Sequence, residues 1–201
     1  SDANKGITLI EYNHLNLPTQ IDFGNDNVQY VYSAAGEKLK KTISTGGVTE
    51  YDDGYVYENG VLQFFPTPEG YITPNGTGGY DYIYQYKDHL GNIRLSYTDV
   101  DGNLEIVEEN NYYPFGLEHK GYNNMINGME YNYKTFQGQE ISKELGYNML
   151  EFKYRHYDPA IGRFVTIDPL TEDYMDWGPY VFSGNRVIDA RELEGLEPYS
   201  V

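Results

Sequence analysis

Apolar and polar residues alternate along much of the chain, and short polar turns interrupt the alternation. Residues 28–32 (VQYVY) alternate, residues 33–36 (SAAG) have the composition of a turn, and residues 38–43 (KLKKTI) lead away from it. Successive side chains of an extended strand point to opposite faces, so this alternation is typical of a β-strand with one buried face. Two such strands joined by a short Gly-containing turn predict an antiparallel hairpin.

The same strand–turn–strand pattern recurs downstream. Three further examples are residues 51–62, 86–97 and 95–107. The first of them turns at Asn59-Gly60, which is a strong hairpin signal because both residue types adopt positive φ at low cost. A hairpin of this kind cannot close a core alone, so neighbouring hairpins must stack. We therefore predict an all-β protein of consecutive antiparallel hairpins.

A row of four tyrosines lies within one predicted strand. Tyr80, Tyr82, Tyr84 and Tyr86 are spaced by two, so their rings share one face. Such a row more often packs a sheet through cross-strand aromatic pairs than binds a ligand. We predict the packing role.

Three stretches depart from the alternation. Residues 65–79 are rich in Pro and Gly and predict a long loop, and residues 116–133 are rich in Asn and Gly and predict a surface connection. Residues 139–145 have a helical pattern that ends before Gly146. We expect at most one or two short helices.

The charge balance narrows the range of functions. The chain has 31 Asp and Glu against 14 Lys and Arg, a formal charge of −17, which argues against nucleic acid or an anionic membrane as partner. The absence of Cys excludes disulfides and thiolate chemistry, and the 4 His show no metal-ligand spacing. We expect no cofactor, no metal and no membrane insertion.

Several ordered motifs resemble those of the rearrangement-hot-spot (Rhs) family. Residues 30–39 follow its YD-repeat pattern, Tyr-x-Tyr-x-x-x-Gly-x-x-Leu. Five blocks similar to the family's associated core follow in order: DHLGNIR at 88–94, YYPFG at 112–116, FQGQE at 136–140, RHYDP at 155–159 with GRF at 162–164, and DP at 168–169. Their style resembles the Bacteroidota branch.

The resemblance implies an architecture and a role. Rhs and YD-repeat hairpins wind into a hollow shell, and the associated core plugs the end that precedes a variable toxin. Residues 1–79 then correspond to YD-repeat hairpins, and residues 80–201, with the loop 116–133, to the repeat-associated core with its turn-rich C-terminal plug. The implied function is a shell segment that encapsulates a C-terminal toxin of the same polypeptide. The implied partners are that toxin, the remaining shell repeats and an immunity protein, and the implied location is secreted or at the cell surface.

The resemblance also implies an alternative, enzymatic role. The family's core often ends in Asp-Pro-x-Gly-Leu, after which the chain cuts itself by an aspartate-dependent mechanism; here Gly195-Leu196 fits, and Glu192-Leu193 stands in place of Asp-Pro. The implied scissile bond joins Leu196 to Glu197. Because hydrolysis by carboxylates needs two of them close together, the candidate catalytic residues are Asp168, a partner that is either Asp189 or Glu192, and Arg163 as an orienting residue.

A further alternative follows from the tyrosine-rich strands and the acidic composition. Exposed, coplanar rings in a groove would favour a glycan-binding or adhesive surface module. This alternative predicts that the rings lie open to solvent, whereas the packing role predicts that they pair across strands.

Overall fold

The computed structural model describes residues 1–119, 133 and 135–201, and these residues form an almost entirely β structure. The all-β prediction is confirmed. Eleven strands follow one another in chain order in one sheet. Their bounds are β1 Leu9–Tyr12, β2 Pro18–Phe23, β3 Asp26–Tyr32, β4 Lys38–Ile43, β5 Val48–Asp52, β6 Tyr55–Glu58, β7 Val61–Thr67, β8 Gly70–Pro74, β9 Tyr80–Lys87, β10 Ile93–Val100 and β11 Asn103–Glu109.

Two smaller antiparallel sheets follow. The first has four strands in chain order, and the second is a single hairpin. Their strands are β12 Glu140–Ser142, β13 Met149–Glu151, β14 His156–Asp158 and β15 Arg163–Phe164, then β16 Ala190–Leu193 and β17 Glu197–Ser200. Within the described ranges the helical elements are the short 3-10 turns Glu144–Gly146 and Ser183–Asn185. No helix in this part of the chain has the length and apolar character needed to span a bilayer.

The predicted hairpins are present. Residues 28–43 form β3 and β4, residues 51–62 include β6 and β7, and residues 86–107 form β9, β10 and β11. The turns that join β6 to β7 and β10 to β11 use two residues with positive φ each, at 59–60 and 101–102. Local turn chemistry therefore sets the strand connections.

Two sequence predictions were wrong. Residues 65–79 are not one long loop, because β7 and β8 form a hairpin there, with Phe65 opposite Ile72. Phe64, Tyr71 and Ile72 of this hairpin are buried, and that burial outweighs the nearby prolines. Residues 139–145 do not form the predicted helix: β12 pairs with β13, with Ile141 opposite Leu150, and the 3-10 turn Glu144–Gly146 that follows is interrupted by Leu145, which has a φ of +50°. The predicted loop 116–133 lies mostly outside the described residues.

The chain divides into two compact units, and the first is discontinuous. Unit 1 comprises residues 1–83 together with residues 143–147, which we call the return segment. Tyr147 of the return segment is fully buried, and its ring meets the ring of Phe23 edge-on with centroids 6.2 Å apart. The Lys41 ammonium, itself buried, pairs with the Glu144 carboxylate at 2.5 Å. The return segment is thus part of the unit 1 core.

Unit 2 comprises residues 84–142 and 148–201, and its described core is largely aromatic. The rings of Tyr157 and Phe182 lie with centroids 4.2 Å apart, and both side chains are fully buried. The buried members of this cluster are Phe136, Ile141, Leu150, Phe152, Tyr157, Phe164 and Phe182. Aromatic rings supply large buried areas, so this core forms from few residues among many turns.

The tyrosine row lies on the more exposed face of β9. Tyr80, Tyr82, Tyr84 and Tyr86 are 40–64% exposed, whereas Ile83 on the other face is buried. Cross-strand aromatic packing is confirmed at Tyr84, which stacks on Tyr97 of β10 with ring centroids 5.7 Å apart. The row therefore combines pair stacking with solvent exposure.

Candidate functional site

A buried arginine lies at the centre of the candidate site in unit 2. Arg155 is in the turn between β13 and β14 and is 1% exposed. Its guanidinium carbon lies 3.7 Å from the centroid of the Phe164 ring. A guanidinium over a ring face gains a cation–π interaction, which is strongest where water is excluded. The Phe164 ring face therefore provides an apolar surface on which the permanently charged guanidinium packs.

The same guanidinium joins two distant turns. Its Nε donates to the carbonyl oxygen of Gly195 at 2.5 Å, and its Nη1 donates to the carbonyl oxygen of Pro179 at 3.3 Å. Burial lowers the pKa of Arg155, and the negative charges of Asp168 and Glu192 act against that shift. Arginine nonetheless stays protonated in proteins, so these donors are permanent.

Two carboxylates lie against Arg155. Nη2 is 2.7 Å from Oδ2 of Asp168 and 3.8 Å from Oε1 of Glu192. The other oxygen of Asp168, Oδ1, accepts a hydrogen bond from the amide of Leu170 at 2.8 Å. Asp168 is thereby held by one charged and one backbone donor, in a fixed orientation towards the guanidinium.

Glu192 is the more deeply buried carboxylate, at 4% exposure. Its Oε2 accepts from the amide of Ser183 at 2.5 Å, and its own amide donates to Oε1 of Gln137 at 2.8 Å. Burial raises the pKa of Glu192 to about 7, despite the opposing effects of the Ser183 amide and Arg155. Glu192 can therefore hold a proton near neutral pH.

The implied cleavage site directly follows the turn between β16 and β17. Glu194 and Gly195 have φ values of +53° and +86°, and the amide of Leu196 donates to the carbonyl of Leu193 at 2.9 Å. A Cβ added to Gly195 would lie 2.9 Å from Cβ of Phe152. Position 195 therefore requires glycine both for its backbone conformation and for its contact with the core.

The residue after the implied cut has its own partner. The Tyr174 hydroxyl donates a hydrogen bond to Oε2 of Glu197. The Tyr174 ring stacks on Trp177, with centroids 4.8 Å apart and an interplanar angle of 12°. The hydrogen bond to Glu197 is the main cause of a raised pKa at Tyr174, so the phenol remains a donor over the physiological range.

Other predicted site residues lie apart from this cluster. Asp189 pairs with Arg186, with Oδ2 and Nη2 2.6 Å apart, and its side chain is 60% exposed. The hydrogen bond from Arg186 lowers the pKa of Asp189. Arg163 is exposed in β15, where its backbone pairs with that of Asp158. Of the two predicted partners for Asp168, Glu192 shares Arg155 with it, whereas Asp189 lies at the surface.

Arg155 was not among the predicted site residues, although it begins the RHYDP block. A charged residue is ordinarily predicted to be exposed. Nothing in the neighbouring sequence indicates that its hydrogen-bond and ion-pair partners come from positions 168, 179, 192 and 195. Among the described residues, no group of three or more His, Asp or Glu side chains is arranged to hold a metal ion.

Comparison with known proteins connects this geometry to a fold. No family model matches the chain. The Tc holotoxin pore of Photorhabdus luminescens matches with a TM-score of 0.71 at 19% identity, over 96% of this chain and 10% of that one. The crystal structure of TcdB2-TccC3-Cdc42 matches with a TM-score of 0.70 at 20% identity, over 95% of this chain and 10% of that one. The chain has an Rhs-like fold.

One curated protein also matches in sequence. Salivary gland surface protein 1 of Aedes aegypti is 32% identical over 173 residues, which is 86% of this chain. The chain spans 4% of that protein and about a tenth of the toxin chains. These similarities therefore concern one portion of much longer polypeptides. At about 20% identity, the structural matches are evidence for the fold alone.

Proposed function

We propose that this chain is a wall segment of a hollow Rhs-type shell that encloses a cargo encoded downstream in the same polypeptide. The observation that carries the proposal is the chain-order sheet of eleven strands, together with the match of 96% of the chain to the Tc holotoxin pore. Successive hairpins can extend such a wall by adding one ribbon after another.

The partners follow from that role. The cargo is a C-terminal toxin, the remaining shell repeats complete the wall, and an immunity protein neutralises the toxin in the producing cell. Residues 1–79 supply YD-repeat hairpins, and residues 80–201 supply the repeat-associated core of a Bacteroidota-like Rhs protein. The proposed location is secreted or at the cell surface, which the name of the salivary gland surface protein supports.

Protease protection in the full natural chain tests the shell. The segment downstream of residue 201 should resist proteinase K while the chain is native and should be digested when it is produced separately. Equal digestion in both settings would contradict enclosure. The proposal also predicts that further hairpins of the full chain pair with the outer edges of β1 and β11. A structure of the full chain in which these two edges are unpaired would contradict it independently.

Self-cleavage after Leu196 is the second candidate function, and a specific contact favours it. Arg155 hydrogen-bonds the carbonyl of Gly195, the residue before Leu196, and also pairs with Asp168. One guanidinium thus links the peptide next to the implied cut to two carboxylates, of which Glu192 has a pKa of about 7. An ionised carboxylate beside a protonated one provides a base and an acid together.

The proposed step is hydrolysis with solvent water as co-reactant. Water attacks the carbonyl carbon of Leu196, and the Asp168 carboxylate takes one of its protons. The bond from that carbon to the Glu197 nitrogen breaks, and the protonated Glu192 carboxyl gives its proton to the leaving nitrogen. The products are a carboxyl group at Leu196 and an amine at Glu197, and exchange with solvent restores both side chains.

Mass spectrometry under denaturing conditions tests this step on a chain that continues past Val201 into a reporter domain. The expected break lies after Leu196, and Asp168→Asn should abolish it. Asp189→Asn should leave the rate within about twofold, since that side chain pairs with Arg186 at the surface. Loss of cleavage in Asp189→Asn, or persistence in Asp168→Asn, would contradict the assignment.

A further inference from the structure

We infer that Tyr174 recognises the carboxylate of Glu197 and thereby selects an acidic residue on the downstream side of the cut. The inference rests on the proposed self-cleavage after Leu196. It adds a specificity-determining contact on the far side of the scissile bond, opposite the Gly195 carbonyl that Arg155 holds.

The contact suits a carboxylate in an acidic neighbourhood. The Tyr174 hydroxyl donates to Oε2 of Glu197, and Asp173 and Asp168 add negative charge close to the phenol. A neutral phenol donates a hydrogen bond to the carboxylate without neutralising its charge. A hydrogen bond to a charged acceptor is stronger than one between neutral groups. A neutral or apolar residue at position 197 would leave this donor without its partner.

The loop that carries Tyr174 begins at Asp168. The Thr171 hydroxyl donates to the Asp168 carbonyl at 2.7 Å, and the Leu170 amide donates to the Asp168 carboxylate at 2.8 Å. The Trp177 amide donates back to the Tyr174 carbonyl at 3.0 Å. These bonds fix the phenol relative to the proposed base. The recognition of Glu197 and the orientation of Asp168 therefore depend on the same short loop.

The other side of the loop packs on the turn that holds the proposed acid, Glu192. A Cβ at Gly184 would lie 3.2 Å from Cζ2 of Trp177, so the indole packs closely on that backbone. Gly184 follows Ser183, whose amide donates to Glu192. The stack of Tyr174 on Trp177 therefore lies between the downstream residue and the turn that holds Glu192.

Cleavage rates of the reporter-extended chain test the inference through a double-mutant cycle. Tyr174→Phe removes the hydroxyl and keeps the ring that stacks on Trp177, and it should slow cleavage about tenfold. Glu197→Ala should slow cleavage by a similar factor. The double variant should be no slower than either single variant, because both remove the same contact.

The matched control is Tyr199→Phe, which removes a hydroxyl from an exposed tyrosine of the same strand as Glu197. It should cleave at the wild-type rate. Thermal unfolding of all variants checks that the native state is kept, because a purely structural contact would change stability and would not make the rate depend on the pairing of the two positions.

The outcomes separate the two levels of the proposal. If the wild-type chain is not cut, the proposed self-cleavage is wrong, and the role inferred for Tyr174 is wrong with it. A wild-type chain that is cut, alongside Tyr174→Phe and Glu197→Ala variants cut at the same rate or with additive losses, overturns the recognition alone and leaves self-cleavage standing.

Discussion

Arg155 donates a hydrogen bond of 2.5 Å from Nε to the carbonyl oxygen of Gly195, although 40 residues separate them. This bond joins the turn before β14 to the turn between β16 and β17. Because the same guanidinium pairs with Asp168 and Glu192, the stability of unit 2 and the chemistry proposed for its C-terminal hairpin depend on one side chain.

Replacing Arg155 should therefore be costly. Arg155→Met leaves the buried Glu192 and the partly buried Asp168 without their cation, and breaking a buried charge pair costs about 3–5 kcal/mol. Urea unfolding followed by fluorescence measures the loss. The control is Arg186→Met, which removes an exposed pair with Asp189 and should lower the free energy of unfolding far less, because solvent screens that pair. Equal losses would contradict the central position of Arg155.

Glu192 should make stability depend on pH. Its pKa is about 7 in the folded chain against an ordinary value of 4.5, so between these values the folded state binds more protons than the unfolded state. Stability from this group is full below pH 4.5, falls as the pH rises towards 7 and is constant above, with a slope of at most about 1.4 kcal/mol per pH unit.

The Glu192→Gln variant isolates that contribution. Its free energy of unfolding, measured by urea titration from pH 4 to 8, should lack the decline that the wild type shows between pH 4.5 and 7. Parallel curves for the two proteins would show that Glu192 titrates normally. Asp189→Asn serves as a surface carboxylate control and should retain the decline.

Two glycines separate backbone strain from steric conflict. Gly102 and Gly195 have φ values of +83° and +86°, but an added Cβ meets nothing within 4 Å at Gly102 and lies 2.9 Å from Phe152 at Gly195. Gly102→Ala should cost about 1–2 kcal/mol through the left-handed conformation alone. Gly195→Ala should cost roughly 1–3 kcal/mol more because of overpacking. Thermal melts of the two variants make the comparison, and equal shifts would contradict it.

Adjacent lysines of β4 offer a similar comparison in unit 1. Lys41 is buried and pairs with Glu144 of the return segment, whereas Lys40 pairs with Glu50 at 3.4 Å in an exposed position. Glu144→Gln should cost about 3 kcal/mol, and Glu50→Gln less than about 1 kcal/mol. Amide hydrogen exchange in β3 and β4 should accelerate in the first variant only; unchanged exchange there would show that Glu144 adds little to unit 1.

The exposed tyrosines of β9 distinguish a shell from an adhesive module. A wall segment should show no binding on a glycan array, whereas a glycan-binding module should bind and lose binding in Tyr82→Ala and Tyr86→Ala. Lys87→Ala on the same strand controls for loss of the fold. Binding abolished by the two tyrosine changes would favour the adhesive alternative.

Much of the fold could be predicted because hairpin signals are local. Alternation over five to seven residues and a turn such as Asn59-Gly60 identify a hairpin without knowledge of the rest of the chain. Predictions failed where distant pairing decided the structure: Ile141 lies in a strand because Leu150 pairs with it, which outweighs the helical pattern of that segment.

The candidate site was predicted less completely. Asp168 was a candidate from its motif, and Glu192 and Asp189 were alternative partners. Their different burial, with Glu192 inside and Asp189 at the surface, could not be read from alternation in a turn-rich tail. Arg155 was not predicted because its partners lie up to 40 residues further along the chain and come together only in the folded structure.

The return segment constrains how the molecule can be divided. Lys41 and Glu144 belong to the same core, so a single cut near residue 83 would separate the buried Lys41 ammonium from the Glu144 carboxylate that pairs with it. Gene fusions that exchange these hairpins between relatives must therefore carry residues 143–147 along or supply an equivalent, and an N-terminal fragment prepared for crystallisation would need that peptide grafted back.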